Sequence, residues 1–152
     1  MIAVERPGAP PLELTHAVFD LNGTLAAGGE LLPGVPEGLT DLGRCLEVEV
    51  LTAATYGGLD ALRKRLPCRI TRIDTGVDKL RRVQQLGTGV VSVGNGANDA
   101  PMLAAAALGI VVIGPEGAAG TALAAANLVV HDIAQVFHLL ANPKRITATL
   151  RL

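Results

Sequence analysis

The chain has 152 residues, a formal net charge of −1 and a composition of 49% hydrophobic, 18% charged and 2% aromatic residues. This composition excludes a disordered chain and predicts one globular domain over residues 1–152, with a core of aliphatic side chains. The scarcity of aromatic rings and of excess positive charge argues against nucleic acid or an anionic membrane as a partner, because stacking and phosphate contacts need them.

Targeting signals and cysteine spacing bear on where the protein works. Residues 1–11 contain Glu5, Arg6 and several prolines, which predicts a loose leader and not a secretory signal. The longest apolar stretch, residues 102–113, is too short to span a bilayer. Cys45 and Cys68 lack the spacing of metal ligands, and we interpret them as two buried thiols in a reducing compartment. We therefore expect a cytoplasmic protein.

Strand and helix patterns alternate from Pro11 onward. Strands are predicted near 15–20, 46–52, 69–73, 89–93, 109–113 and 127–130. Helices are predicted near 36–45, 56–66, 78–86, 98–107, 116–125 and 132–140. This alternation predicts an α/β fold: a doubly wound parallel sheet with helices on both faces. Residues 143–152 are interpreted as a C-terminal appendage.

Two of the predicted strands carry charges that place them in the sheet. Arg69 and Arg72 in strand 69–73 are typical of a sheet edge. Glu47 and Glu49 alternate with apolar residues in strand 46–52, which predicts that one face of this strand is partly wet at its start.

Polar side chains follow two of the apolar strands. Asp20 ends the first strand and is followed by the turn Leu21-Asn22-Gly23-Thr24, and residues 90–93 lead into Gly94-Asn95-Gly96-Ala97-Asn98-Asp99-Ala100-Pro101. Because the carboxyl ends of parallel strands meet at one edge of the sheet, these oxygens and glycines are expected to form a crevice. Such a crevice can hold a cation and an anion together, as a phosphoryl-transfer site requires.

The segment Asp20-Leu21-Asn22-Gly23-Thr24-Leu25 resembles the first motif of the haloacid dehalogenase (HAD) superfamily. Residues 79–101 are more similar still to the phosphorylation domain of P-type ATPases, and this likeness continues through residues 125–130. The resemblance implies a HAD-like Rossmannoid core. The short gaps between the motifs leave room for a small flap near residues 26–34 but for no substantial cap domain and no nucleotide-binding domain.

The resemblance also implies roles for individual residues. In that family the first aspartate attacks phosphorus and forms an aspartyl-phosphate, and Asp20 matches it. Lys79 matches the lysine that offsets the charge of the phosphorylated carboxylate. Thr52, with Thr55 as the alternative, matches the residue whose hydroxyl holds phosphate oxygens. Asn98 and Asn22 are the further phosphate-binding candidates.

Mg²⁺ is the cofactor that the resemblance implies. Its candidate ligands are Asp20, the backbone carbonyl of Asn22, Asn95 and Asp99. The family carries an aspartate where this chain has Asn95, and a neutral amide is expected to weaken the metal site.

Asn22 is a second departure from the pattern. Many phosphatases of the superfamily have a general acid and base at this position, and an amide cannot exchange a proton in that way. P-type ATPases also lack the acid there. We therefore expect a Mg²⁺-dependent phosphohydrolase that is slow on simple monoesters and better on activated phosphates.

Other functions remain open. The alternative is a catalytically weakened HAD-like domain that binds phosphate or a protein partner. A biosynthetic sugar-phosphate phosphatase would require efficient hydrolysis despite Asn22. For an enzyme without a cap, we expect a small phosphorylated substrate and a homo-oligomer in which a neighbouring subunit covers the site.

Overall fold

A six-stranded parallel sheet organises the computed structural model, which describes residues 1–54 and 56–151. The strands are β1 (Ile2–Arg6), β2 (Ala9–Leu14), β3 (His16–Asp20), β4 (Ala26–Ala27), β5 (Glu30–Leu31), β6 (Glu47–Thr52), β7 (Arg69–Arg72), β8 (Val90–Gly94), β9 (Leu108–Val112) and β10 (Leu128–Val130). The helices are α1 (Val35–Leu42), α2 (Tyr56–Arg65), α3 (Gly76–Leu86), α4 (Ala100–Ala105), α5 (Gly120–Ala125), α6 (Ile133–Ala141) and α7 (Pro143–Leu150). A 3₁₀ turn, Ala97–Asp99, precedes α4.

The order of the strands in the sheet is β10-β9-β8-β3-β6-β7. The chain runs outward from β3 through β6 to β7, and α3 then returns it to β8 on the other side of β3. The strand order therefore reverses at β3 and β8, and a crevice opens at the carboxyl ends of strands where such a reversal occurs. The six predicted strands are all present, and β7 is the edge strand that its arginines predicted.

Helices cover both faces of the sheet. Leu39 of α1 and Val136 of α6 pack with Phe19 of β3 on one face, and Val83 of α3 and Met102 of α4 pack with the other. The residues of β8 and β9 are buried throughout, as their continuous apolar sequences predicted. These layers confirm the doubly wound α/β fold.

The loose leader predicted for residues 1–11 is wrong. β1 and β2 pair as an antiparallel hairpin, and Ile2, Val4 and Leu14 are buried in the core. The prolines between them concealed the alternation that buries one face of this hairpin. The expected appendage at residues 143–152 is also corrected, because α7 packs against β1 and buries Ile146.

Some local expectations also need correction. The helix expected over residues 116–125 begins only at Gly120. Cys45 is exposed and Cys68 is half-buried, and both are free thiols, so the expectation of two buried cysteines fails for Cys45. Glu47 is exposed but Glu49 is only 5% exposed, so the wet face predicted for the start of strand 46–52 is confined to Glu47.

The segment between β3 and α1 is small. β4 and β5, of two residues each, pair as a hairpin in the place of the predicted flap. Within this hairpin, Gly28 N donates a hydrogen bond to Glu116 Oε1 at 3.3 Å. Thr55, the alternative to Thr52, lies outside the described residues. Across the described ranges, no helix combines the length and hydropathy needed to cross a membrane.

Candidate active site

One ammonium group bridges two carboxylates at the carboxyl edge of the sheet. Lys79 Nζ lies 2.6 Å from Oδ1 of Asp20 and 2.7 Å from Oδ1 of Asp99. The exposed fractions of Asp20, Lys79 and Asp99 are 8%, 3% and 0%. Asp20 ends β3, Lys79 lies in the first turn of α3 and Asp99 ends the 3₁₀ turn after β8, so three elements converge here.

The start of α3 explains how Lys79 reaches this position. Thr75 caps the helix by accepting a hydrogen bond from Asp78 N at 3.1 Å. A Cβ on Gly76 would lie 2.6 Å from the carbonyl oxygen of Asn98, so glycine lets α3 approach the 3₁₀ turn closely. A lysine in a first helical turn opposes the helix dipole, and the two carboxylates offset that cost.

The turn after β8 is held together by Asp99. Its Oδ2 accepts hydrogen bonds from Asn95 N at 3.0 Å and Gly96 N at 2.9 Å. A Cβ on Gly94 would lie 2.6 Å from Asp99 Cγ, so the carboxylate occupies space that only glycine leaves free. Both oxygens of Asp99 therefore accept hydrogen bonds, one from Lys79 and the other from the backbone.

Thr24 and Asn95 extend the cluster. The buried Thr24 hydroxyl lies 3.2 Å from Asp20 Oδ2 and 3.3 Å from Asn95 Oδ1, and its single proton can serve only one of them at a time. Asn95 Nδ2 donates to the carbonyl oxygen of Gly117 at 3.0 Å. Sequence reasoning did not assign Thr24 a role, although it belongs to the same short motif as Asp20.

The cluster of Asp20, Lys79 and Asp99 carries a net negative charge. Burial, and after it the charge of Asp99, raises the pKa of Asp20 to about 6, although Lys79 and Thr24 act in the opposite direction. Burial lowers the pKa of Lys79, but the two carboxylates outweigh burial and the net pKa is raised. With all groups ionised, two carboxylates face one ammonium, and one negative charge stays uncompensated.

The remaining predicted residues surround this cluster. Thr52 is buried at the end of β6, where its hydroxyl accepts a hydrogen bond from Ala54 N at 3.2 Å. Asn22 and Asn98 are exposed in the turns that follow β3 and β8. Within residues 1–54 and 56–151, no hydrogen bond joins these three side chains to Asp20, Lys79 or Asp99. Their roles stay predictions.

The donors near Asp20 can be compared with the needs of Mg²⁺. In the part of the chain that the structure describes, no three His, Cys, Asp or Glu side chains cluster as metal ligands. The cluster instead combines the carboxylate of Asp20 with neutral oxygens, including Asn95 Oδ1. Mg²⁺ is commonly bound through one or two carboxylates with water completing the shell. The oxygen donors and the excess negative charge therefore fit such a cation.

Comparisons with known proteins bear on the fold. No protein-family model matches the chain. An uncharacterized protein of Methanocaldococcus jannaschii is 44% identical over 62 residues, which cover 41% of this chain and 67% of that protein.

Three solved structures are similar to this chain over most of its length. A 3-deoxy-D-manno-octulosonate 8-phosphate phosphatase from Moraxella catarrhalis, solved with magnesium and phosphate, has a TM-score of 0.71 and 15% identity, covering 90% of this chain and 91% of that one. A zinc-transporting PIB-type ATPase has a TM-score of 0.66 and 23% identity, covering 78% of this chain and 20% of that one. A Legionella pneumophila protein described as a HAD superfamily hydrolase has a TM-score of 0.67 and 15% identity, covering 91% and 88%. The chain therefore has the fold of the haloacid dehalogenase superfamily, which the motifs around Asp20 and Asp99 predicted.

Proposed function

We propose that the protein is a Mg²⁺-dependent phosphohydrolase that works through an aspartyl-phosphate on Asp20. The observation that carries this proposal is the buried bridge in which Lys79 contacts both Asp20 and Asp99 at the point where the strand order reverses. The likeness to a phosphatase solved with magnesium and phosphate supports it at the level of the fold.

The proposed reaction has two displacement steps. The Asp20 carboxylate attacks phosphorus, the bond between phosphorus and the leaving oxygen breaks, and an acyl phosphate forms. Water then attacks phosphorus, the bond to Asp20 breaks, phosphate leaves, and a proton passes to solvent. Only the ionised carboxylate can attack, so protonation of Asp20 would stop the first step.

Lys79 and the turns supply the proposed electrostatic support. The ammonium group offsets negative charge on Asp20 at a buried position, where charges interact more strongly than in bulk water. Thr52, Asn98 and Asn22 are the candidates for contact with the phosphate oxygens. The Asp20 carboxylate, the Asn22 backbone carbonyl and Asn95 would hold Mg²⁺, with Asp99 contributing its charge. When bound, the ion would neutralise charge on the transferring phosphoryl group.

Asn22 determines which substrates suit this site. An amide at this position cannot protonate a leaving oxygen, and general acid catalysis is worth about 10²–10⁴-fold. The carboxylate of an acyl phosphate and the phenolate of an aryl phosphate are good leaving groups that need no such proton, whereas the alkoxide of an alkyl monoester needs it. We therefore propose activated phosphates as the better substrates and rank an efficient sugar-phosphate phosphatase lower.

A domain that binds phosphate or a protein without turnover is the second candidate. The observation that favours it is the structural use of Asn95, whose amide is bonded to Gly117. Asn22 is a second amide where a titrating group would serve hydrolysis. This candidate predicts binding of a phosphate mimic with no release of phosphate.

The open site also leads us to propose a homo-oligomer that works in the cytoplasm on a small phosphorylated substrate. The β4–β5 hairpin is short, so a neighbouring subunit would be needed to exclude water. Multi-angle light scattering at micromolar concentration tests the assembly, and a purely monomeric protein would contradict it.

Thermal unfolding with beryllium fluoride and Mg²⁺ tests the proposed function. We expect the two together to raise the Tm by several degrees, more than either alone, in the wild type and in Asp41→Asn, whose carboxylate is exposed. Asp20→Asn should lose this shift and the hydrolysis of acetyl phosphate. A shift without turnover would favour the binding domain, and the lack of any shift would overturn the proposed site.

A further inference from the structure

An ion pair between the half-buried Arg82 of α3 and the buried Glu49 of β6 joins these elements below the candidate site. Glu49 of β6 is 5% exposed, and Arg82 Nε lies 3.1 Å from its Oε1 and 3.0 Å from its Oε2. Arg82 Nη2 lies 2.8 Å from Oε2. The Thr71 hydroxyl of β7 donates to Oε1 as well. One carboxylate therefore ties a helix and two strands together.

Both residues of this ion pair lie on elements that also carry residues of the candidate site. Arg82 follows Lys79 by three residues on α3, a spacing that places both side chains on one side of the helix. Glu49 precedes Thr52 by three residues on β6. The helix is thus attached to the sheet at two levels: at the strand tips through Lys79, and about one turn lower through Arg82.

The chemistry of this ion pair indicates a role other than stabilising the fold. An ion pair with a buried carboxylate contributes little more to the stability of a fold than apolar residues of the same volume, because the carboxylate loses its hydration. A guanidinium group that donates two hydrogen bonds to one carboxylate does fix the relative orientation of the two side chains, because both bonds form in only one geometry. Apolar contacts such as those of Val83 hold α3 against the sheet without fixing its rotation as strictly.

Lys79 needs this kind of constraint. Its ammonium group has to remain within hydrogen-bond distance of two carboxylates that belong to different elements. A displacement of about 1 Å at such a group can cost about 10²-fold in rate. Rotation or sliding of α3 would move Lys79 directly, because the residue lies on that helix.

We propose that Glu49 and Arg82 are positioning residues that set the rotation and height of α3, so that Lys79 bridges Asp20 and Asp99. The consequence for catalysis rests on the proposed function, whereas the consequence for the geometry of Lys79 does not. Neither residue touches the reacting atoms.

The neighbouring arginine offers a matched control. Arg81 lies on the same helix and pairs with Asp78, but its side chain is 67% exposed. Arg81→Gln removes an arginine and an ion pair from α3 without touching β6. A general effect of charge on the helix would therefore appear in this variant as well.

The test uses the full chain and the double variant Glu49→Met/Arg82→Leu. Removing both charges avoids leaving the buried carboxylate of Glu49 unpaired, so this variant should fold where Arg82→Gln alone could fail; the half-buried Thr71 hydroxyl, which loses its acceptor, lies near solvent. The chain has only three lysines, Lys64, Lys79 and Lys144, so their labelled side-chain ammonium signals can be assigned by NMR. We expect the ammonium protons of Lys79 to exchange with water faster in the double variant and in Arg82→Lys, because the two hydrogen bonds to Asp20 and Asp99 are loosened, but not in Arg81→Gln.

Kinetics separates the two proposals. If the wild type turns over, the double variant should lose about tenfold or more in kcat with little change in KM. If the wild type shows no turnover but the Lys79 signal changes as expected, the proposed function fails and the positioning role stands. An unchanged Lys79 signal in the folded double variant would overturn the positioning role, whatever the activity.

Discussion

The side-chain amide of Asn95 donates a hydrogen bond to the carbonyl oxygen of Gly117, with 3.0 Å between Nδ2 and O. Ala119 N donates in turn to the Asn95 backbone carbonyl at 2.9 Å. These contacts connect the turn after β8 to the segment that precedes α5. A carboxylate at position 95 has no hydrogen to give to Gly117, so the amide has a structural use of its own.

Asn95→Asp should therefore destabilise the protein when metal is removed. The substitution leaves the Gly117 carbonyl without its donor and adds a negative charge beside Asp20 and Asp99. We expect the free energy of unfolding in EDTA to fall by about 2 kcal/mol, measured by urea denaturation. Asn98→Asp adds the same charge at an exposed position and should change stability much less. Equal losses in the two variants would contradict the use of the amide.

Gly23→Ala should displace Asn95. Gly23 has φ +85°, and a Cβ there would lie 2.3 Å from Asn95 Nδ2. Gly8 has nearly the same φ, +84°, with nothing within 4 Å of a Cβ, so Gly8→Ala measures the backbone strain alone. We expect Gly8→Ala to cost about 1–2 kcal/mol and Gly23→Ala to cost about 1 kcal/mol more, because the bond to Gly117 is lost as well. Identical urea midpoints would show that Asn95 is not displaced.

Lys79→Met should be strongly destabilising at neutral pH. It leaves the carboxylates of Asp20 and Asp99 buried together without their shared cation. Loss of one partner from a buried ion pair costs about 3–5 kcal/mol, and the loss should shrink in acid as Asp20 protonates. Lys64→Met, at an exposed position on α2, should change the free energy of unfolding by less than about 0.5 kcal/mol. A loss for Lys79→Met that does not vary with pH would argue against this account.

The raised pKa of Asp20 predicts how stability changes with pH. Burial and the charge of Asp99 raise this pKa from 3.8 to about 6, so the folded protein holds the proton more tightly than the unfolded chain does. The contribution of Asp20 to stability is therefore largest below pH 3.8, falls as the pH rises toward about 6, and is constant above that.

Asp20→Asn provides the reference for this titration, because an amide resembles the protonated acid and does not ionise. In EDTA, the free energy of unfolding of the wild type relative to Asp20→Asn should decrease between about pH 4 and pH 6. Urea denaturation across this range measures the difference. A difference that stays constant, or one that increases with pH, would contradict the shift.

The sequence predicted the parts of the fold that have a local signature. The central strands are continuous apolar runs, and Arg69 and Arg72 mark the sheet edge. The β1–β2 hairpin was missed because its prolines break the alternating pattern, although Ile2 and Val4 follow it. α7 was missed because a helix of 8 residues with one buried side chain, Ile146, has little periodicity to detect.

The candidate site, too, could be predicted from the sequence only in part. The convergence of Asp20 and Asp99 was predicted because both follow apolar strands, and the place of Lys79 beside them was implied by the resemblance to the HAD superfamily. The contact between Asn95 and Gly117 and the burial of Glu49 were not. Both depend on partners in other elements, and for Glu49 the partner is Arg82, a residue that resembles its exposed neighbour Arg81 in sequence.

The packing of α7 on β1 joins parts of the chain that are far apart in sequence. Val4 and Ile146 are both fully buried in one cluster, although about 140 positions separate them. This long-range contact raises the contact order, and it can form only after residue 146 has left the ribosome. A nascent chain therefore keeps the apolar side of the β1–β2 hairpin uncovered until α7 has emerged, and that hairpin is where we expect a chaperone to bind during translation.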